Sequence, residues 1–172
     1  MILGQPGAGK STLARSLGEI TGLPVVHVDK IHWMSGWVER AKEEKIALAL
    51  QEQSAPRWIF EGGLAATKED RLNRADMLIV LDIPFALRVW RVAKRTVLYY
   101  GRTRPDLPED CPERFSAEFW AWIWNTRKTG RRNNLQWASR ARELGKRVVI
   151  LSSPAMVRRF LKTLDAEWNS RQ

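Results

Sequence analysis

The run GQPGAGKST, from Gly4 to Thr12, constrains this chain more than any other stretch. Gly4, Gly9, Lys10 and Ser11 fit G-x-x-x-x-G-K-[ST], the phosphate-binding P-loop. Glycines allow a tight turn that brings successive backbone N–H groups toward one anion. The following STLARSLGEITG puts Leu13, Leu17 and Ile20 on one narrow apolar stripe and predicts a helix. Phosphates would then rest at a helix N-terminus, where free N–H groups and the dipole favour negative charge. The pattern assigns Gly7, Ala8, Gly9, Lys10, Ser11 and Thr12 to ATP. Lys10 would reach the β- and γ-phosphates, and the Ser11 hydroxyl would ligate Mg²⁺. The alternative is a glycine turn that opens a helix and binds nothing; the specified spacing in a strand–loop–helix context argues against it. Only Met1, Ile2 and Leu3 precede the loop, so the first strand is very short or lacks its first residues.

A chain of 172 residues suits one domain with a real core, spanning 1–172. No apolar run approaches a membrane span, and no signal-peptide pattern is visible. The single cysteine, Cys111, excludes an internal disulfide, fits a reducing cytoplasm and reads as an ordinary loop residue. Two histidines and that cysteine leave little for a dedicated zinc site. The net charge of +10 asks for an anionic partner, either nucleic acid or a polyphosphate. Its arginines and lysines are spread from Arg57 to Arg171 rather than packed into one run.

Strands and helices alternate along the chain. LPVVHVD predicts a buried strand over Val25–Val28 with Asp29 at its carboxyl end, and WVERAKEEKIALALQEQ predicts a helix. APRWIFEGG ends a third strand at Glu61, and KEDRLNRA is a short helix. DMLIVLDIP is a fourth strand, stopped by Pro84 before the helix FALRVWRVAKRTVLYY. GRTRPDLPEDCPERF is a proline-rich loop, followed by the largely helical SAEFWAWIWNTRKTGRRNNLQWASRARELG. KRVVILSSP is the last strand and AMVRRFLKTLDAEW the last helix. Apolar strands without alternation indicate burial on both faces, hence an α/β fold with a parallel five-stranded sheet and helices on both sides. Ligands in such folds bind at the carboxyl ends of strands, where the P-loop, Asp29, Glu61 and Ser152 all fall. Phe115, Phe119, Trp122 and Ile123 form a helical stripe that reads as core.

These segments together resemble the adenylate-kinase-like P-loop kinases of the P-loop NTPase fold. More closely, the chain is similar to the bacterial FlaR-type topology modulation proteins. The resemblance rests on GQPGAGKST, VHVDKIHW, GWV, WIFEGG, RLNRADMLIVLDIP, RVWRVAKR, RTRPDLPEDCPERF, EFWAWIWN and LSSP, and covers nearly the whole chain. It implies a core of about 1–98 and 146–172 with a helical lid-like insert of about 100–134. Glu61-Gly62 stands where such kinases carry Asp-Gly, whose acid helps hold Mg²⁺ through water; a turn cap is the other reading of Glu61. Counting from Pro84 implies that Arg91 and Arg95 approach the transferred phosphate, with Arg88 on the same helix face, while Asp82 is structural. The lid would exclude water and supply arginines, Arg127 and Arg131 foremost. The loop with Ser153, Pro154 and Ala155 would pack on adenine.

On the acceptor side the resemblance implies that Asp29 orients or deprotonates the acceptor hydroxyl; a water-mediated Mg²⁺ ligand and an N-cap are the other readings. His32, Trp33, Arg40, Gly62 and Gly63 complete the expected acceptor site. Adenylate kinases place a monophosphate-gripping arginine where this chain has Ala65. The expected activity is transfer of the γ-phosphoryl of Mg-ATP to a small molecule, nucleotides included. The competing expectation is a nucleic-acid-associated P-loop ATPase or regulator, since tryptophans can stack on bases.

Overall fold

The computed structural model describes residues 1–170. In chain order its elements are β1 (Ile2–Gly4), α1 (Lys10–Thr21), β2 (Val25–His27), α2 (Val28–His32), β3 (Trp33–Met34), β4 (Val38–Glu39), α3 (Lys42–Ser54), β5 (Ile59–Glu61), α4 (Lys68–Arg74), β6 (Met77–Leu81), α5 (Phe85–Leu98), α6 (Ala117–Asn125), α7 (Arg127–Glu143), β7 (Arg147–Leu151) and α8 (Pro154–Asn169). Five strands form one parallel sheet in the order β2-β5-β1-β6-β7, and β3 and β4 form a separate antiparallel hairpin. The two-residue period of a strand sends alternate side chains to opposite faces. Ile2, Ile79 and Leu81 therefore meet Leu13 and Leu17 of α1 on one side, with Phe160 and Leu161 of α8 packed against them. Leu3, Leu78 and Val80 meet Leu72 of α4 and Ala138 and Ala141 of α7 on the other. Burial on both faces is why these strands read as unbroken apolar runs.

Several boundaries differ from the sequence reading. The second strand stops at His27, and Val28 already begins α2, so Asp29 sits in the first turn of a short helix. The helix expected from Trp37 starts only at Lys42. Gly36 (φ 72°) and Trp37 (φ 61°) adopt left-handed backbone, which a right-handed helix cannot contain. Those residues turn the hairpin between β3 and β4 instead. The expected lid boundary near 134 falls inside α7, whose later turns bury Ala138 and Ala141 in the core. The stripe read as core also divides: Ile123 is 2% exposed, whereas Phe115 is 66% and Trp122 50% exposed. Trp122 lines a cavity instead of packing on the sheet, and Phe115 stacks on Trp120 at 6.5 Å.

Candidate active site

A cavity of about 1750 Å³ opens at the carboxyl ends of the sheet strands. The P-loop from Gly4 to Thr12 forms one wall. Gly7 (φ 74°) and Gly9 (φ 97°) are left-handed, and the Ala8 N–H closes the turn on the Gln5 carbonyl at 3.1 Å. Gly9 caps α1 without a side-chain acceptor, so the first-turn N–H groups face the cavity unpaired by a cap. Helix α5 fixes the loop from behind. Arg88, 3% exposed, donates from Nε to the Ile83 carbonyl and from Nη1 to the Pro6 carbonyl, both at 3.2 Å. A Cβ on Gly7 would stand 2.4 Å from the Arg88 carbonyl oxygen. Arg88 therefore braces the loop and does not share a phosphate-facing surface with Arg91 and Arg95. Arg91 does reach the loop, donating to the Ala8 carbonyl at 3.2 Å.

Beneath the P-loop, the pairing of β2 with β5 sets His27 opposite Glu61. Glu61 is 2% exposed and its Oε1 takes hydrogen bonds from Ser11 Oγ at 3.0 Å and His27 Nδ1 at 2.8 Å. Burial opposes its charge, but the His27 hydrogen bond, the Lys10 charge and the Ser11 hydrogen bond outweigh it and hold the carboxyl below the usual glutamate range. An ionised carboxylate only accepts, so His27 Nδ1 carries the proton in this contact. Gly62 follows with φ 102°, and a Cβ there would lie 2.9 Å from Val28 Cβ. Ser11 and Glu61 are hard oxygen donors of the kind Mg²⁺ takes while keeping several waters.

Asp29 opens into the cavity. Protein crowding around its carboxyl pushes its pKa up; Lys10 opposes this, and the nearby Glu61 and Asp106 carboxylates add to it. His32, Trp33, Gly62 and Gly63 also line the cavity, with the rings of His32 and Trp33 edge to face at 4.6 Å. Burial and Lys45 lower the pKa of His32 and favour its neutral form.

The loop after α5 brings a chain of ion pairs to the same space. Arg95 Nε donates to Glu113 Oε1 at 3.0 Å, and Arg104 Nε to Glu113 Oε2 at 2.9 Å. Arg104 Nη1 also donates to Asp106 Oδ2 at 2.5 Å. Burial opposes charge on Asp106, yet Arg104, its own backbone N–H and Ser11 keep its carboxyl below the usual range. Arg114 lines the cavity without an ion-pair partner among the described residues.

Other expected site residues lie elsewhere. Arg127 stacks on Trp124 at 4.1 Å and donates to its carbonyl, and Arg131 holds Asp82 through two hydrogen bonds of 2.8 Å. Neither lines the cavity: Thr129, Gly130, Asn133 and Asn134 of the same helix do, while these two side chains are turned away to Trp124 and Asp82. Arg40 is turned to the Ile31 carbonyl and to Glu44. Of the adenine loop, Pro154 lines the cavity, while Ser153 caps α8 by accepting from the Met156 N–H at 3.2 Å and Ala155 stays outside. Sequence reasoning passed over His27, Asp106 and Glu113. A histidine inside VVHV was a visible signal, since a polar residue in a buried strand needs a partner; the two loop acids carried none.

No protein-family model matches the chain, and no curated protein matches it. Among solved structures, a shikimate kinase from Acinetobacter baumannii in complex with shikimate is similar, with a TM-score of 0.54 at 15% identity over 99% of this chain and 93% of that one. A deoxyadenosine kinase from M. mycoides with dCMP and a flexible dCDP bound aligns over 99% and 98% of the two chains at 14% identity, with a TM-score of 0.48. The parallel five-stranded sheet with helices on both faces and the similarity to this shikimate kinase show an α/β fold that the two chains share.

Proposed function

We propose that this chain is a phosphotransferase that moves the γ-phosphoryl of Mg-ATP to a hydroxyl group of a small molecule, nucleotides among the candidates. The observation that carries this reading is the contact of Ser11 with Glu61 directly under the P-loop, with Asp29 across the same cavity. Lys10 and the P-loop N–H groups would hold the β- and γ-phosphates. Ser11 would ligate the metal, and Glu61 would orient its waters. Bound Mg²⁺ supplies neutralisation of the charge that develops on the phosphate oxygens. Asp29 would accept the acceptor's proton, a role that a raised pKa suits. Arg91, Arg95 and Arg104 would stabilise the transferring group, and His32, Trp33, Gly62 and Gly63 would bound the acceptor.

The motifs quoted above support an adenylate-kinase-like subtype and, more narrowly, membership of the FlaR-type topology modulation proteins. No described helix is long and apolar enough to cross a membrane. The lone cysteine supports a reducing cytoplasm as the place of action. The test is an acceptor screen with ATP and Mg²⁺ that reads ADP release above the no-acceptor background. At least one hydroxyl compound should raise it severalfold and appear phosphorylated. Release that is indifferent to every acceptor class would contradict transfer and favour a plain ATPase.

A further inference from the structure

The loop from Gly101 to Ser116 is bonded to the hairpin of β3 and β4 as well as covering the cavity. The Gly36 N–H donates to the Asp110 carbonyl at 3.0 Å, and Ser35 Oγ to Asp110 Oδ2 at 3.1 Å. The Trp37 N–H donates to Cys111 Sγ, and that thiol to the Met34 carbonyl, both at 3.4 Å. Trp37 Nε1 donates to the Pro112 carbonyl at 2.9 Å. Trp37 (φ 61°) and Asp110 (φ 53°) are the non-glycine residues with left-handed backbone among those described, and they stand on the two sides of this seam. Such strain persists only where surrounding contacts over-determine it, and it gathers at functional sites. Cys111 between them is fully buried.

The seam leads into the arginines. Pro112 is followed by Glu113, 5% exposed, whose two oxygens hold Arg95 and Arg104. On its other side Trp37 packs edge to face on Trp33 at 5.4 Å, and both rings line the cavity near Asp29. We propose that Trp37 is a positioning residue that makes the hairpin and the covering loop one body, so that Arg95 and Arg104 take their places only when the acceptor side is also shut. The inference builds on the phosphotransferase reading for its role in transfer, but the coupling itself belongs to the ligand-free protein.

Hydrogen exchange on the full chain tests it, comparing wild type with Trp37→Phe, which keeps a ring and removes the Nε1 donor. In wild type the amides of Gly36, Trp37, Gly101 and Glu113 should share one opening constant. In Trp37→Phe the constants of hairpin and loop should separate, and the Nε–H protons of Arg95 and Arg104 should exchange about fivefold faster, as loss of one hydrogen bond implies. The Arg88 Nε–H, buried on the Ile83 carbonyl, should not change. Separate constants in wild type, which need no variant to fold, would overturn the proposal. So would unchanged Arg95 and Arg104 exchange in a folded Trp37→Phe. A non-hydrolysable Mg-ATP analogue should shift hairpin and loop together. Failure of the analogue to bind counts against the phosphotransferase reading alone, because the ligand-free constants still decide the coupling.

Discussion

Glu61, buried beneath the P-loop, and Asp29, which lines the cavity, are tuned in opposite directions. Hydrogen bonds from His27 and Ser11 and the charge of Lys10 keep Glu61 ionised, whereas crowding raises Asp29. A folded-state pKa below the unfolded one adds stability above the ordinary glutamate value, which is lost as pH falls through the folded value. Glu61→Gln should therefore flatten the acid limb of a stability–pH curve and raise the Mg²⁺ concentration needed for turnover. Asp29 has the reverse sign: its folded form binds protons more tightly, so stability falls as pH rises from the ordinary aspartate value through the raised one. Asp29→Asn should remove that slope, leave ATP affinity unchanged and slow transfer by about 100-fold or more. Thermal melts from pH 3 to 8, with Mg²⁺ and acceptor titrations, check both; a Mg²⁺ curve shifted by Asp29→Asn and not by Glu61→Gln would reverse the assignments. Gly7 provides a steric test. Its positive φ and the 2.4 Å approach of the Arg88 carbonyl predict that Gly7→Ala costs about 2 kcal/mol or more, read by denaturant unfolding.

At the scale of elements, the side of a helix on which an arginine stands decides which ones reach the cavity: Thr129, Gly130, Asn133 and Asn134 of α7 line it, and Arg127 and Arg131 do not. Arg131 pairs with Asp82 while 59% of its side chain stays exposed, so water and salt screen the pair. Arg131→Ala and Arg127→Ala should leave transfer within about twofold of wild type, whereas Arg104→Ala should lower kcat at least tenfold, since it removes a donor from the phosphate side. Steady-state kinetics of the three variants checks this; a kcat loss confined to Arg127→Ala or Arg131→Ala would return the lid to α7. The order of strands and helices was legible because period and apolar runs report burial directly. Trp37 was not: its segment has helix-forming residues, and only contacts from Asp110 to Pro112, far along the chain, hold it left-handed. The acid partners Asp106 and Glu113 were hidden for the same reason, being joined to their arginines through space.

For the molecule as a whole, the P-loop was the part most fully written in sequence, because its geometry is local and its glycines are required by backbone conformation. The acceptor pocket was least so, since it is assembled from α2, the hairpin, β5 and the covering loop. The +10 charge belongs to this scale too. Arg71 and Arg88, 0% and 3% exposed, are buried on carbonyls, so their charge is not presented to an outer partner. The charge is thus a weaker argument for nucleic acid than its total suggests, and duplex DNA should be retained only at low salt and without sequence preference; tight retention at about 200 mM salt would revive that alternative. The proposed phosphotransfer depends first on Mg-ATP binding by the loop from Gly4 to Thr12 through Lys10. Calorimetric titration of wild type and Lys10→Ala with Mg-ATP tests it, with melting curves to show that both are folded. Binding by the variant should be at least about 100-fold weaker at nearly unchanged stability, as expected for a charge that serves the ligand and not the fold. Near-equal ATP affinity in a folded Lys10→Ala would contradict it.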